Sequence, residues 1–332
     1  MDVMSAVSPE PARPSFAAAS AAPTGQQWTI GRGPFEATVV EVGGGLRSLT
    51  LAGAPLVAGY GPDERCQSGR GQQLMPWPNR IRDGRYTWEG KAHQLPLTEV
   101  AKANASHGLV RWAIWELIEL EPDFVTVGYR LYPQPGWDHP LDLRTTYVLD
   151  ESGLVVTAAA RNVGSSPAPF GYGAHPYLAI GSTPLHDVWV KVPAATWLRT
   201  DERGLPVGPE SVEGAALDLR QGRALGGTTL DTPFTDVQRD DDGMWRCEVA
   251  TDTVGRLVLW ADAAFPWLQV FTGVVEKGLG EPGIAVEPMT CPPEAFNSGE
   301  SLVTLGPGEE WTGTWGISPV RDDPGASRPL IG

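Results

Sequence analysis

Hydrophobic and polar residues alternate along many short segments of this chain. The alternation is regular over Phe124–Leu131 (FVTVGYRL) and Leu141–Leu149 (LDLRTTYVL). A period of two residues is typical of a β-strand with one buried face. The same pattern, rich in β-branched and aromatic residues, predicts strands at residues 36–42, 154–159, 256–260 and 267–272.

Glycine and proline interrupt the chain too often for a helical fold. The sequence has 40 glycines and 31 prolines, and its longest stretch without either is the 13 residues 109–121. Bundles and doubly wound α/β folds need many helices of about 11 residues or more. Turn clusters lie between the predicted strands, at residues 43–45, 135–136, 162–164 and 241–243, as in antiparallel sandwiches. We therefore predict an all-β fold, and residues 109–121 are interpreted as strand.

Charge and cysteine content narrow the classes of function. With 25 basic and 40 acidic residues the net charge is −15, so the chain lacks the basic surface that binds nucleic acids or anionic membranes. Hydrophobic segments stay shorter than the roughly 18 residues of a membrane span. Cys66, Cys247 and Cys291 are odd in number and far apart, which favours a reducing compartment. We predict a cytoplasmic protein with no nucleic-acid or membrane partner.

The two ends differ in composition from the body. Residues 1–27 are rich in Ala, Ser and Pro without the basic start and apolar core of a secretory signal, and residues 321–332 resemble a second loose end. We expect a disordered N-terminal tail at 1–27, one domain at 28–320 and a C-terminal tail at 321–332. A weak processing site at residues 17–22 is the alternative for the N-terminus.

Common cofactor and hydrolase motifs are missing or out of context. Gly278, Gly280 and Gly283 match G-x-G-x-x-G, but Pro282 and the apolar segment after it predict no helix to hold a pyrophosphate. The sequence has no Walker A motif, G-x-S-x-G, H-E-x-x-H or C-x-x-C. A metal site assembled from His107, His175 and Asp231 remains open on spacing alone.

Six segments place polar residues in apolar or Gly/Pro-rich surroundings. Their order and spacing, within a β-rich body, resemble the aldose 1-epimerase (galactose mutarotase) family over residues 28–318. The segments are Pro78-Asn79-Arg80-Ile81 with Gly84, Ser106-His107-Gly108, Gly173-Ala174-His175-Pro176-Tyr177, Leu230-Asp231-Thr232-Pro233-Phe234, Leu268-Gln269-Val270-Phe271-Thr272-Gly273, and Val286-Glu287-Pro288-Met289-Thr290 continuing to Pro293, Ala295, Phe296 and Asn297.

The resemblance implies a fold, an activity and a site. The fold is a large antiparallel β-supersandwich with a sugar cleft on its concave face, and the activity is interconversion of the α and β anomers of free hexoses such as glucose or galactose. His175 corresponds to the general acid and Glu287 to the general base, and neither cofactor nor metal is expected. The residues that the resemblance assigns to sugar binding are Arg80, His107, Asp231 and Gln269, with Asn79 in the same segment.

Trp77 is a further candidate for sugar binding, on chemical grounds. An aromatic face stacks on the C–H side of a sugar, and Trp77 lies beside the Asn79-Arg80 segment, so we place it at the cleft.

Each candidate has a simpler interpretation when it is taken alone. His175 before a proline is typical of a structural histidine, and Glu287 before Pro288 is typical of a turn. Arg80 is equally consistent with pairing to one of the many acids, and Asp231 with an Asx turn. The combination of segments favours the site.

Two other functions stay open at this stage. One is a catalytically silent sugar-binding or regulatory protein on the same fold, because a fold does not fix a function. The other is a 1-epimerase for hexose 6-phosphates, suggested by the closeness of Arg80, Arg82 and Arg85 in the sequence.

Overall fold

The computed structural model describes residues 22–273 and 280–320. Regular structure in these ranges is almost entirely β-strand, with two single-turn 3₁₀ helices at Val100–Lys102 and Leu185–Asp187 and one α-helical turn at Ala295–Ser298. In chain order the strands are β1 (Gln27–Arg32), β2 (Phe35–Val40), β3 (Leu46–Leu51), β4 (Ala54–Pro55), β5 (Gln73–Leu74), β6 (Arg80–Arg82), β7 (Arg85–Trp88), β8 (Lys91–Gln94), β9 (Asn104–Ser106), β10 (Glu116–Leu120), β11 (Phe124–Leu131), β12 (Leu141–Leu149), β13 (Leu154–Asn162), β14 (Ala168–Phe170), β15 (Gly173–Ala174), β16 (Tyr177–Ala179), β17 (Trp189–Lys191), β18 (Ala194–Thr200), β19 (Pro206–Ser211), β20 (Arg223–Ala224), β21 (Asp231–Val237), β22 (Trp245–Thr251), β23 (Gly255–Ala261), β24 (Trp267–Phe271), β25 (Gly283–Met289), β26 (Val303–Leu305) and β27 (Glu310–Pro319).

Two large antiparallel sheets make up most of the fold. One has nine strands in the order β10-β11-β12-β13-β27-β23-β22-β17-β20. The other has eight, in the order β19-β18-β21-β24-β25-β15-β5, with β16 also pairing β25. Alternate residues of β12 are buried in the core, so the period of two in its sequence does correspond to an inner and an outer face.

Smaller sheets extend this frame. A four-stranded sheet has the order β1-β2-β3-β4, and three strand pairs are β6-β9, β7-β8 and β14-β26. The β6-β9 pair matters for function because it carries Arg80 opposite Ser106. The all-β antiparallel prediction is confirmed.

The predicted strands are confirmed with small shifts at their ends, and residues 109–121 need a correction. Only Glu116–Leu120 of that segment forms a strand. The part before it turns, with the Ala113 N–H donating to the Val110 carbonyl, and it packs Trp115 into the core with its indole N–H on that same carbonyl. Burial of one tryptophan therefore overrides the strand propensity of its neighbours.

The N-terminal boundary lies earlier than the predicted residue 27. Thr24 is buried, its carbonyl accepts from the Val42 N–H, and the Gln26 carbonyl accepts from the Glu41 N–H. Residues 1–21 and 321–332 of the predicted tails lie outside the described residues, and the single-domain assignment stays a prediction. Within the described ranges, no helix has the length and apolar character needed to cross a membrane.

A buried chain of hydrogen bonds connects the two large sheets. The Trp315 indole N–H donates to the Tyr172 hydroxyl at 3.0 Å, which donates to Gln73 Oε1 at 2.6 Å. Gln73 Nε2 donates to the Tyr147 hydroxyl at 2.6 Å, which donates to the Gly44 carbonyl. Gln73 belongs to β5 of the eight-stranded sheet, whereas Tyr147 and Trp315 belong to β12 and β27 of the nine-stranded sheet. The chain thus satisfies polar groups where the sheets face each other.

Replacing Tyr172 by phenylalanine is expected to lower the free energy of unfolding by about 1–3 kcal/mol, because Trp315 Nε1 and Gln73 Oε1 both lose their partner while staying buried. Urea unfolding followed by tryptophan fluorescence measures the change. Tyr132→Phe is the matched control, since Tyr132 is 63% exposed, and should stay within about 0.5 kcal/mol of the parent. Equal stability of the two variants would contradict a structural role for the chain.

Candidate active site

A cleft of about 390 Å³ lies over the middle of the eight-stranded sheet. Its floor carries polar residues from three neighbouring strands, β21, β24 and β25, and its walls come from the segments around β6, β9 and β15. All but one of the residues predicted to form the sugar site line it: Asn79, Arg80, His107, His175, Asp231, Gln269 and Glu287.

Strand register brings the floor residues together. Gln269 of β24 stands directly opposite Glu287 of β25 and opposite Pro233 of β21, so their side chains leave the same face of the sheet. Asp231, two residues before Pro233, shares that face, and Gln269 Nε2 donates to its Oδ1 at 2.6 Å. Residues far apart in sequence thereby form one polar row across β21, β24 and β25.

Glu287 and His175 form the centre of the cleft. Every residue of β25 is buried, and Glu287, only 2% exposed, is its single charged residue. His175 Nε2 lies 3.3 Å from Glu287 Oε1. Within the described residues, His175 Nδ1 and Glu287 Oε2 are buried without a hydrogen-bond partner. Buried polar atoms are normally satisfied, so two free atoms on adjacent side chains at a cleft indicate a place for a ligand.

Stacking fixes the plane of the His175 ring. Tyr177 stacks on it with ring centroids 5.0 Å apart at 11°, and the Arg70 guanidinium lies 4.9 Å from the Tyr177 centroid. The Tyr177 hydroxyl donates to the Ser68 carbonyl at 2.8 Å. Gly69, at φ +76°, lets the backbone approach the ring, since a Cβ there would lie 2.9 Å from His175 Cδ2.

Burial sets the protonation of this pair. Burial, with a further contribution from the charge of Arg111, lowers the pKa of His175 to about 3. Burial and the nearby Asp231 raise the pKa of Glu287 well above its usual range, against the opposing effect of Arg80. Both shifts favour neutral groups, so the 3.3 Å contact holds one shared proton between a neutral imidazole and a neutral carboxyl.

His107 is held in one tautomer beside this pair. Its ring centroid lies 5.5 Å from that of His175. The Asn79 backbone N–H donates to His107 Nδ1 at 3.2 Å, and the His107 backbone N–H donates to the Asn79 carbonyl at 2.8 Å. Burial lowers the pKa of His107 well below its ordinary value, so neutral His107 carries its proton on Nε2. That N–H is a donor available to a ligand.

Arg80 is positioned by two acids. Its Nε donates to Glu99 Oε2 at 2.8 Å, and its guanidinium lies 3.6 Å from Asp231 Oδ2. Asn79 Nδ2 donates to Gln269 Oε1 at 3.2 Å, which connects this wall to the floor. The alternative in which Arg80 pairs with an acid is therefore correct, but Glu99 itself lines the cleft, so the pairing orients Arg80 within the site.

Trp77 does not lie at the cleft, and that prediction is wrong. The side chain is 2% exposed and packs edge-on against Phe296, with ring centroids 5.6 Å apart. The backbone is not extended here, since Asn79 has a left-handed φ of +57°, so nearness to Asn79 in the sequence did not imply a shared direction. Trp112 is the tryptophan that lines the cleft, at 53% exposure.

Several cleft residues were missed from sequence. Arg111, Glu99, Lys102 and Tyr177 line the cleft. Tyr177 belongs to the His-Pro-Tyr segment, which was a usable signal, whereas the other three had none. The described residues contain no group of three or more His, Cys, Asp or Glu side chains arranged to hold a metal ion.

Two of the three arginines that suggested a phosphorylated sugar are not at the site. Arg82 lies 3.7 Å from Glu294, and Arg85 donates to Gln94 at 3.0 Å. Neither lines the cleft. Within β6, Ile81 is 1% exposed and packs in the core, whereas Arg82 is exposed.

Comparison with known proteins places the chain in a family. Residues 26–318 match the model of the aldose 1-epimerase family. YihR of Escherichia coli K12, described only as an uncharacterized protein, is 35% identical over 288 residues, covering 86% of this chain and 91% of YihR. Galactose mutarotase of Rattus norvegicus is 32% identical over 157 residues, 45% of this chain and 44% of the rat protein.

Solved structures agree on the fold. The GalM/aldose epimerase homologue of C. elegans superposes with a TM-score of 0.77 at 19% identity, covering 89% of this chain and 99% of that protein. Galactose 1-epimerase of Lactobacillus acidophilus gives a TM-score of 0.71 at 22% identity, covering 88% and 94%. The chain belongs to the aldose 1-epimerase family and has the galactose mutarotase-like fold.

Proposed function

We propose that this protein is an aldose 1-epimerase that interconverts the α and β anomers of free hexoses such as glucose or galactose. The observation that carries the proposal is the contact between His175 Nε2 and Glu287 Oε1 at the centre of the cleft. Membership of the family supports the reaction class. The site supports the residue roles.

Anomer interconversion demands an acid and a base that act on neighbouring oxygens. Opening the ring breaks the bond between C1 and the ring oxygen, which takes a proton from His175, while Glu287 removes the proton of the C1 hydroxyl and C1 becomes a carbonyl. The open aldehyde rotates about the bond between C1 and C2. Closure reverses both transfers on the opposite face of C1 and returns each proton to its donor, so nothing is consumed.

In the ligand-free protein, the His175–Glu287 pair already holds the proton that this cycle needs. A neutral carboxyl with a neutral imidazole has the same proton count as a carboxylate with an imidazolium. Moving one proton across the 3.3 Å contact converts the first state into the second, in which Glu287 is the base and His175 the acid. A low-dielectric site makes each such positioned group more effective than it is in water.

The remaining cleft residues have binding roles in this proposal. His107 Nε2–H and the Arg80 guanidinium are donors to sugar oxygens, whereas Asp231 and the Gln269 amide accept and donate to hydroxyls. Their mutual hydrogen bonds fix these directions before the sugar arrives, which lowers the entropic cost of orienting it. Trp112 supplies an apolar edge.

A silent sugar-binding protein has no need of an unsatisfied acid and base in contact. Two buried atoms without partners, His175 Nδ1 and Glu287 Oε2, cost stability, and reaction chemistry gives a reason to keep them. The 6-phosphate alternative loses its original basis, because Arg82 and Arg85 are outside the cleft.

Polarimetry of freshly dissolved α-D-glucose and α-D-galactose tests the proposal. We expect the protein to accelerate the approach to anomeric equilibrium above the buffer rate for at least one of the two sugars. Calorimetry on the same samples separates the alternatives. Heat of sugar binding without any acceleration would replace the enzyme by a silent binding protein.

A further inference from the structure

The turn between β18 and β19 lies against the wall of the cleft that carries Arg80. Residues 201–205 join the two strands. Gly204, in this turn, has φ +75°, and a Cβ built on it would lie 2.5 Å from Arg80 Nη1 and 2.8 Å from Arg80 Cζ. Only glycine allows the backbone to approach the guanidinium this closely. The turn therefore covers one side of a group in the site, although residues 201–205 do not themselves line the cleft.

Hydrogen bonds within the turn hold it in one shape. Asp201 Oδ1 accepts from the backbone N–H groups of Arg203 and Leu205, both at 2.9 Å. The Asp201 N–H donates to the Leu205 carbonyl at 2.8 Å, and the Gly204 N–H donates to the Asp201 carbonyl at 2.9 Å. The Leu205 side chain is fully buried. A turn closed by its own aspartate in this way presents Arg203 and Gly204 in fixed directions.

Arg203 ties the turn to the loop before β9. Its Nε donates to the Lys102 carbonyl at 2.8 Å, and its Nη2 donates to the Ala103 carbonyl at 3.0 Å and to Asp83 Oδ1 at 2.8 Å. In the other direction, Asn104 Nδ2 donates to the Arg203 carbonyl at 2.9 Å. A planar guanidinium can bind several acceptors at once, which the point charge of a lysine cannot do in the same way. Arg203 thus joins two segments that are about 100 residues apart in the sequence.

Asn104 connects this arrangement to the cleft. Its side chain is fully buried, and its Nδ2 donates to Glu99 Oε2 at 3.0 Å as well as to the Arg203 carbonyl. Glu99 Oε2 in turn accepts from Arg80 Nε at 2.8 Å. The Arg80 guanidinium is therefore oriented through Glu99 and covered by Gly204. Both contacts depend on where Arg203 holds the turn and the loop.

We propose that Arg203 is a positioning residue for sugar binding, which fixes the turn at 201–205 and the loop at 102–104 so that the Arg80 guanidinium points at the sugar. This role rests on the proposed function, in which Arg80 donates to sugar oxygens. Arg203 does not line the cleft, so its effect reaches the sugar through Arg80. A donor that is already held in its binding direction loses less freedom when the sugar arrives, and affinity is higher for that reason.

Arg203→Gln separates positioning from a purely structural role. The variant is compared with the unmodified protein by polarimetry on D-glucose and D-galactose. We expect KM to rise by about 3- to 30-fold, as for the partial loss of one charge-assisted hydrogen bond, while kcat stays within about 2-fold. A purely structural residue would instead lower the folded fraction, which reduces the rate at saturation and leaves KM unchanged. Arg199→Gln is the matched control, because Arg199 lies on β18 of the same hairpin and pairs with Glu210 at 2.6 Å.

A double-mutant cycle shows whether Arg203 acts through Arg80. Arg80→Gln removes the donor itself and raises KM directly. In that background, adding Arg203→Gln should raise KM by less than about 2-fold, because the group that Arg203 positions is gone. Arg203→Lys keeps the charge but not the planar fork, so its KM should lie between those of the parent and Arg203→Gln. If Arg203→Gln does not fold, Arg203→Lys takes its place in the cycle.

Gly204→Ala reaches Arg80 by a second route. Its Cβ would displace the guanidinium, so KM should rise here too, with the hydrogen-bonding groups of Arg203 still present. Gly208→Ala is the matched control, since Gly208 lies on β19 of the same hairpin and a Cβ there would meet nothing within 4 Å.

Two results would overturn this role for Arg203. One is an unchanged KM in Arg203→Gln, and the other is an equal rise in KM with and without Arg80. Acceleration by the unmodified protein leaves the proposed function standing in either case. If the unmodified protein binds a hexose without accelerating it, the proposed function fails, and the dissociation constant from calorimetry replaces KM in the same comparisons. If it neither binds nor accelerates a hexose, both proposals fail.

Discussion

Glu287→Gln is expected to lower kcat for mutarotation by about 10²- to 10⁴-fold, the contribution of one positioned base. The amide keeps the size and the buried position of the carboxyl but cannot accept the proton of the C1 hydroxyl. KM should change by only a few fold, because the side chains that hold the sugar are untouched. Polarimetry or NMR exchange between the two anomers measures both quantities.

Stability gives a second and independent readout for this variant. The folded-state pKa of Glu287 is raised above its unfolded-state pKa, so the folded protein holds the proton more tightly. Its stability therefore falls as the pH rises from the unfolded-state pKa toward the folded-state pKa. Glutamine has no proton to lose, so at pH 7 the free energy of unfolding of the variant should be higher than that of the parent protein. Glu36→Gln, on the exposed face of β2, is the control and should leave both quantities unchanged. Full activity in Glu287→Gln would refute the proposed mechanism.

His175→Asn is expected to lower kcat by a similar factor of about 10² to 10⁴. Asparagine can still donate a hydrogen bond near the ring oxygen, but it cannot deliver a proton. His186→Asn is the matched control, since the His186 side chain is 66% exposed and lies away from the cleft. A parallel drop in both variants would show that the loss has another origin.

The pH profile of the unmodified protein belongs to the same prediction. The pKa of His175 is about 3, and protonating the neutral pair removes the base. We therefore expect kcat/KM, which reports the free enzyme, to stay level down to about pH 4 and to fall on the alkaline side, where the pair loses its shared proton. An acid limb centred near the ordinary histidine value of about 6.5 would mean that His175 titrates as an unburied group.

Most of the fold was predictable because strand formation follows local patterning. The alternation over residues 124–131 and 141–149 reproduced the bounds of β11 and β12. The strand prediction for residues 109–121 was wrong for the part before residue 116, because the chain turns there to pack Trp115 into the core. Pairing order was beyond local pattern as well: β27 lies between β13 and β23, and nothing in its own residues names those neighbours.

The residues of the site also fall into those that the sequence could predict and those that it could not. His175, Glu287 and their partners carried a signal, because their segments resemble those of a family and keep their order. Trp77 and Trp112 were indistinguishable as aromatic residues near polar ones, and only packing put one against Phe296 and the other at the cleft. Arg111 had no local motif at all.

By itself, the sequence determined that this protein is built of antiparallel strands, that it carries few basic patches, and which segments hold its polar candidates, because these properties depend on residue type and local spacing. Only the tertiary structure decided that His175 contacts Glu287, that Arg80 is neutralised by Glu99 and Asp231, and that Arg111 is left without an acid among the described residues. Those outcomes depend on strand order, register and burial, which bring residues more than 100 positions apart in the sequence into one low-dielectric cleft and set their charges there.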